Sequence, residues 1–251
     1  MKKYNAYKVC IIVGSFLVAI VLGFDGVSAG LVEEMVALDR DYIPALALTN
    51  QPEKPEALVK EAMSRLENAW ERFLKTLTPV QKEDPILKPA LKEAEKHIEE
   101  AGKMLASGRK AEAHEALEGI RRGLAKARKF MGIDYLPDRL TAFHDPMEAF
   151  YHTAYESKTL QDWTALKKGL ENLSILWNEV EQHKLDTKRF GFGPEKAALY
   201  VELVKKEREI LTQMAALLTP EKKEDLLKAA LSLRKVFARV YLLFGDFRGL
   251  Q

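Results

Sequence analysis

Two consecutive segments of this chain repeat apolar residues alternately four and three positions apart, and this spacing restricts the fold more than any other feature. Residues so spaced share one face of an α-helix, and antiparallel bundles bury such faces. Ser107-Gly108, between the segments, predicts a tight turn. The two stripes are Leu87, Leu91, Ala94, Ile98, Ala101 and Leu105, then Ala113, Leu117, Ile120, Leu124, Ala127 and Met131.

The rest of the chain has the same character. It is 47% apolar and 30% charged, which is far too apolar for a disordered protein, and Ala, Leu, Lys and Glu dominate it. Apolar periodicity predicts about eight helical segments. Their expected starts are cap residues followed by proline or by an acidic partner: Thr78-Pro79, Asp84-Pro85, Asp145-Pro146-Met147-Glu148, Thr159 and Thr219-Pro220. The predicted fold class is all-α.

The helices before the middle of the chain are loosely echoed by those after it. Pro44 corresponds to Pro146, Arg121 to Arg234 and Gly132 to Gly245, with an offset that grows only where loops lie. This pattern indicates an internal duplication. We therefore predict two tandem units resembling four-helix bundles, at residues 30–132 and 143–251 and joined by a connector at 133–142. They are either separate units or one merged bundle.

The first 29 residues have the layout of a secretory signal peptide. Basic residues lead, residues 9–24 are apolar, and Val27-Ser28-Ala29 offers a small-residue cleavage site. We therefore expect an exported protein, periplasmic or secreted, with no membrane span after cleavage. The alternative is a chain tethered by an uncleaved N-terminal anchor.

Cleavage would also change the chemistry that is available. The only cysteine, Cys10, lies in the predicted signal, so a cysteine-free mature chain has no disulfides, thiolate metal sites or covalent haem. The 39 basic and 37 acidic residues lose three lysines and one aspartate, which leaves equal numbers. A neutral protein lacks the electrostatic support for nucleic-acid binding, and we predict none.

The central stretch Tyr135 to Phe150 carries the first candidate metal site. His144, Glu148 and His152 are spaced by four, so the last two lie one turn apart on a helix. Imidazole and carboxylate without sulfur suit Zn, Cu, Ni or Fe. The alternative is structural, because Glu148 also fits as the acidic partner of a helix cap.

A second candidate site spans the Ser107-Gly108 turn. Folding the two helices back on each other places His97 level with Glu118, and His114 lies one turn from Glu118. Helical bundles hold metals between facing helices in this way. A solvated rim of residue pairs explains the same spacing.

Two further features have both a functional and a structural interpretation. Glu207 falls on an apolar stripe, so it is either buried with a perturbed pKa or, as its charged neighbours favour, rotated to the edge. Phe190 and Phe192, in a glycine-rich loop, either form an exposed contact for a partner or fold back over the bundle.

No nucleophile motif, phosphate-binding loop or di-metal carboxylate motif occurs in the sequence, which argues against an enzyme. We therefore predict an exported helical binding or interaction protein for a protein partner or small ligand. The alternative is a periplasmic metal-binding protein that uses the histidine and carboxylate clusters.

Overall fold

The computed structural model describes residues 30–250, and all the regular secondary structure in this range is helical. This confirms the predicted all-α fold, whereas the predicted signal peptide lies outside the described residues. The helices are α1 (30–49), α2 (Glu56–Thr76), α3 (Pro79–Lys82), α4 (Leu87–Ala106), α5 (Lys110–Phe130), α6 (Leu136–Glu156), α7 (Leu160–Gln182), α8 (Thr187–Phe190), α9 (Pro194–Ala215) and α10 (Lys223–Leu242), the last preceded by a 3-10 turn at Pro220–Lys222.

The helices pack as two four-membered rings. In the second ring, α6 and α9 each pack against both α7 and α10. In the first, α4 packs on α2 and α5, and α1 closes the ring by side-chain contacts. The Tyr42 hydroxyl donates to the Leu117 carbonyl at 2.8 Å, and Arg65 of α2 pairs with Asp41 at 2.7 Å. The buried side chains of both rings form one hydrophobic cluster, so the two units share a core.

The central helix α6 differs from the prediction. We expected residues 133–142 to connect the units and Asp145 to cap a new helix at Pro146, but α6 begins at Leu136 and continues through the proline. The prediction of a helix start at Asp145 was wrong because an apolar stripe crosses that point. Burial of this continuous face outweighs the helical hydrogen bond that proline removes. The stripe consists of Leu136, Leu140, Phe143, Met147, Phe150 and Ala154, all buried.

The matching proline, Pro44, also lies inside a helix, α1. A proline in a helix leaves the carbonyl four residues earlier without its usual donor, and here that carbonyl belongs to Arg40. The backbone N–H of Asp246 donates to it at 2.8 Å. Gly245 makes this approach possible, because a Cβ there would lie 2.9 Å from Ile43 and 3.1 Å from Pro44. The C-terminal segment therefore docks where Pro44 interrupts α1.

The aromatic loop does not form an exposed surface. Phe190 and Phe192 are only 8% and 7% exposed, and the ring of Phe244 lies 4.9 and 5.2 Å from theirs. Gly191, with φ of 67°, lets the chain turn back after α8. The prediction of Phe190 and Phe192 as a partner contact was therefore wrong, and the alternative, that they fold back over the bundle, is the one observed.

The position favoured for Glu207 in the sequence analysis, at the edge of the apolar stripe, was also wrong. It is fully buried on α9, and neither carboxylate oxygen has a hydrogen-bond partner among the described residues. Burial raises the pKa of Glu207 to about 9, so the group is a neutral acid at pH 7. Its proximity in sequence to charged residues was misleading, because Lys205, Lys206 and Glu209 are exposed on α9 whereas Glu207 is buried.

We predict that Glu207→Met stabilises the protein. A buried polar group without a partner costs about 1–3 kcal/mol, and the change removes it. Because burial raises the pKa of Glu207 in the folded state, the destabilisation is smallest below pH 4.5 and grows as the pH rises to about 9, since over this range the unfolded chain releases a proton that the folded state retains. Urea unfolding from pH 5 to 9 should therefore show a flatter pH dependence in the variant. Glu202→Met, an exposed position on α9, is the control, and equal pH profiles for both variants would contradict the prediction.

Candidate functional site

A cleft of about 350 Å³ opens between the two units. It is formed by four helices, α1, α5, α6 and α10, which come from both halves of the sequence. Its apolar surface includes Ile43, Leu46, Met147, Leu231, Phe237, Tyr241 and Leu242. Its polar groups include Asn50, Gln51, His114, Glu118, Arg121, His144, Glu148, Arg234 and Lys235. The cleft therefore brings together residues from both of the predicted metal clusters.

Arg121 is the buried cation at the base of this cleft. Its side chain is only 3% exposed, and its Nη2 donates to the Glu118 carboxylate and, at 2.7 Å, to His144 Nδ1. The guanidinium also lies 5.5 Å from the centre of the Tyr241 ring. Arginine keeps its charge in such surroundings. One guanidinium group thus links the imidazole of α6 to the carboxylate of α5.

His144 is held as a neutral ring. Burial, and then the charge of Arg121, lower the pKa of His144. Its Nδ1 lies 2.7 Å from Arg121 Nη2, which donates, and 3.0 Å from Asp145 Oδ1, which accepts, so the contacts of Nδ1 do not fix which ring nitrogen carries the proton. The ring also packs on Phe237, with centroids 5.5 Å apart. His144 therefore offers the cleft a positioned, uncharged ring.

The orientation of His114 is fixed by the contacts of its Nδ1 atom. Its Nδ1 lies 3.0 Å from the Leu46 carbonyl and 3.2 Å from the Thr49 hydroxyl. Since a carbonyl only accepts, the proton is assigned to Nδ1. This leaves Nε2, which lies 3.7 Å from Glu118 Oε1. A histidine whose second nitrogen bonds to a carbonyl has a fixed orientation, as ligand-binding histidines often do.

The opposite side of the cleft carries a second arginine–glutamate pair. Arg234 Nε donates to Glu148 Oε1 at 2.8 Å, and the guanidinium stacks over Tyr151, 4.6 Å from the ring centre. Arg121 and Arg234 are the residues that the predicted duplication matches. Each pairs with a glutamate, and both line the same cleft.

The other predicted ligands lie elsewhere. His152 is exposed and rests its ring edge against Tyr151, outside the residues that line the cleft. His97 lies between α4 and α5, where a Cβ on Gly119 would come within 2.5 Å of its ring. Neither histidine therefore joins the cluster at the cleft.

Within residues 30–250, one group of three histidine and carboxylate side chains places a ligand atom of each within 4.8 Å of the others: Glu118, His144 and Asp145. The group is not a free set of ligands. Arg121 bonds to Glu118 and His144 and lies 3.9 Å from Asp145 Oδ1. A guanidinium already occupies the centre of these three groups.

The first part of the central stretch has a structural role. The Tyr135 hydroxyl donates to Asp39 Oδ2 at 2.6 Å, and Arg128 binds Asp138 with Nε at 2.8 Å. Burial raises the pKa of Asp39 to about 6. This network joins α1, α5 and α6 beside a cavity of about 10 Å³ whose lining includes Asp39, Arg121 and Arg128. These hydrogen bonds therefore hold α1, α5 and α6 together next to Arg121, which lines both the cavity and the cleft.

Sequence reasoning missed Arg121, Met147 and the contributions of α1 and α10 to this site. The one available signal was the match between Arg121 and Arg234, which we used only as a sign of duplication. Two corresponding arginines near the inner faces of two similar units are well placed to meet where the units join.

No protein-family model, curated protein or solved structure matches this chain. Across residues 30–250, no helix combines the length and the apolarity needed to cross a membrane. What the protein does must therefore be inferred from the cleft itself.

We predict that Arg121→Met destabilises the protein by up to about 3–5 kcal/mol, because it leaves the buried Glu118 carboxylate without its cation. The double variant Glu118→Met, Arg121→Met should recover most of this loss. Lys103→Met, which removes an exposed pair with Glu99, should change stability little.

The measurement is the free energy of unfolding in urea. A double variant no more stable than Arg121→Met would show that the salt bridge to Glu118 is not the reason for the loss.

Proposed function

We propose that this protein is a non-catalytic binding protein that holds a small amphipathic molecule in the cleft between its two units. The observation that carries the proposal is that this cleft combines an apolar surface with polar groups that are already fixed in place. Sites that bind small molecules are typically clefts of about 300–1,000 Å³, lined mostly by apolar side chains with a few positioned polar groups. The cleft volume of about 350 Å³ falls in this range.

The side chains favour binding over catalysis. The residues that line the cleft include no serine, threonine or cysteine, as far as the described range extends. Both glutamates are paired with arginines, and His144 is held by Arg121. A general base needs a free lone pair near its substrate. The two glutamates and His144 are already engaged, whereas His114 keeps the lone pair of Nε2 but finds no hydroxyl or thiol nucleophile of serine, threonine or cysteine in the lining to activate. These side chains are arranged to recognise a ligand.

Export stays part of the proposal. It rests on the basic, apolar and small-residue pattern of residues 1–29. An exported protein that binds a small molecule is the simplest interpretation that accounts for both this N-terminal pattern and the cleft.

We predict that amphiphiles such as 1-octanol and octanoate bind next to Met147. Met147 lines the cleft, whereas Met214 is fully buried on α9 and is not part of its lining. In protein labelled with ¹³C at the methionine methyl groups, titration should shift the Met147 signal to saturation and leave Met214 unchanged.

Ala238→Trp fills the cleft and should abolish the shift, because Ala238 belongs to its lining. Ala165→Trp, at an exposed position on α7, is the matched control and should bind normally. An unshifted Met147 with both amphiphiles, or binding that survives Ala238→Trp, would refute the proposed function.

A transition metal is the second candidate, favoured by the placement of Glu118, His144 and Asp145. Arg121 opposes it, because a divalent ion would need to displace a guanidinium that already pairs with these groups. We expect elemental mass spectrometry of chelator-free protein to find less than one equivalent of metal. One equivalent of zinc, copper, nickel or iron that is lost in His144→Ala would favour the metal site instead.

A further inference from the structure

The charges of the cleft are not balanced, and the imbalance indicates the kind of molecule that fits. Three of the lining side chains are cationic, Arg121, Arg234 and Lys235, and two are anionic, Glu118 and Glu148. Asp145 lies outside the lining, 3.9 Å from Arg121 and 3.8 Å from Arg122, so Asp145 and Arg122 together add one charge of each sign. His144 is neutral because burial and Arg121 lower its pKa. The cleft therefore has one positive charge more than it has negative charges.

The pairing locates this excess charge. Glu118 takes Arg121 and Glu148 takes Arg234. Lys235, exposed on α10, has no ion pair or hydrogen bond to any residue in the described range. Its ammonium group is the unpaired cation among the residues that line the cleft, and it directly follows Arg234 on α10.

Arg234 also has hydrogen-bond donors that are free to bind a ligand beside Lys235. The bond to Glu148 uses Nε alone, and no other described residue bonds to its two terminal nitrogens. Glu148 on one side and the Tyr151 ring on the other fix the plane of the guanidinium. A guanidinium held in this way presents paired N–H donors that match the two oxygens of a carboxylate.

We propose that the ligand is an amphipathic monoanion: a carboxylate whose oxygens bind Arg234 and Lys235 and whose apolar tail lies along Met147 and Phe237. This inference rests on the proposed function and adds to it the chemical class of the ligand. A monoanion neutralises the excess charge of the cleft, whereas a cation of the same shape meets Lys235 and Arg234 unfavourably.

Three probes with the same eight-carbon tail test the charge of the head group: octanoate, 1-octanol and octylammonium. Binding is followed by the Met147 methyl signal at about pH 8. We expect octanoate to bind at least about tenfold more tightly than 1-octanol, as one charge-assisted hydrogen bond can provide. Octylammonium should bind most weakly.

Charge reversal at the proposed contact gives the second test. Lys235→Glu should weaken octanoate binding by about tenfold or more while leaving 1-octanol within about twofold. Lys168→Glu on α7, an exposed residue away from the cleft, changes the net charge equally and should leave octanoate binding unchanged.

The outcomes separate the two proposals. Equal binding of octanoate and 1-octanol, both abolished by Ala238→Trp, would retain the binding cleft and overturn the anionic ligand. The anionic ligand is also overturned if Lys235→Glu and Lys168→Glu weaken octanoate equally, because net charge alone would then explain the effect. Failure of every probe to shift Met147 would overturn the proposed function itself.

Discussion

The burial of α1 is the constraint on which the rest of the structure depends. This helix completes the first ring through Tyr42 and Asp41, reaches α6 through the bond from Tyr135 to Asp39, and receives the C-terminal segment at the Arg40 carbonyl. It is therefore the element that both units use. Because α1 is shared, the units are held beside each other, and the space left along its length is the cleft.

The fold was largely predictable because helical bundles depend on local patterns. The stripes of α4 and α5 and the caps at Thr78 and Thr159 follow from residues close together in sequence, and the structure contains all of them. Pro146 misled us because its cap-like context was local, whereas the stripe that overrides it extends over the whole of α6. Burial of the longer apolar face therefore outweighed the local signal for a helix start.

The site was much less predictable. His114 with Glu118, and His144 with Glu148, were proposed as alternatives on separate helices, yet all four line one cleft. Nothing in the spacing along the sequence reveals this, because the approach of α5 to α6 and α10 depends on how the two units pack. Glu207 and Phe190 show the same limit, since their burial depends on residues far away in the chain. Arg121 changes the chemistry of the cluster, because its guanidinium already bonds to side chains that the alternative prediction assigned to a metal.

The two interior prolines give the walls of the cleft unequal stiffness. Pro44 interrupts α1 beside Ile43, but the carbonyl it leaves free is bonded by Asp246, so that wall is braced. Pro146 interrupts α6 beside Met147, and no described residue outside α6 donates to the corresponding Ala142 carbonyl. A helix bends most easily where it lacks a hydrogen bond. Adjustment of the cleft to molecules of different width should therefore come from α6, with α1 as the fixed side.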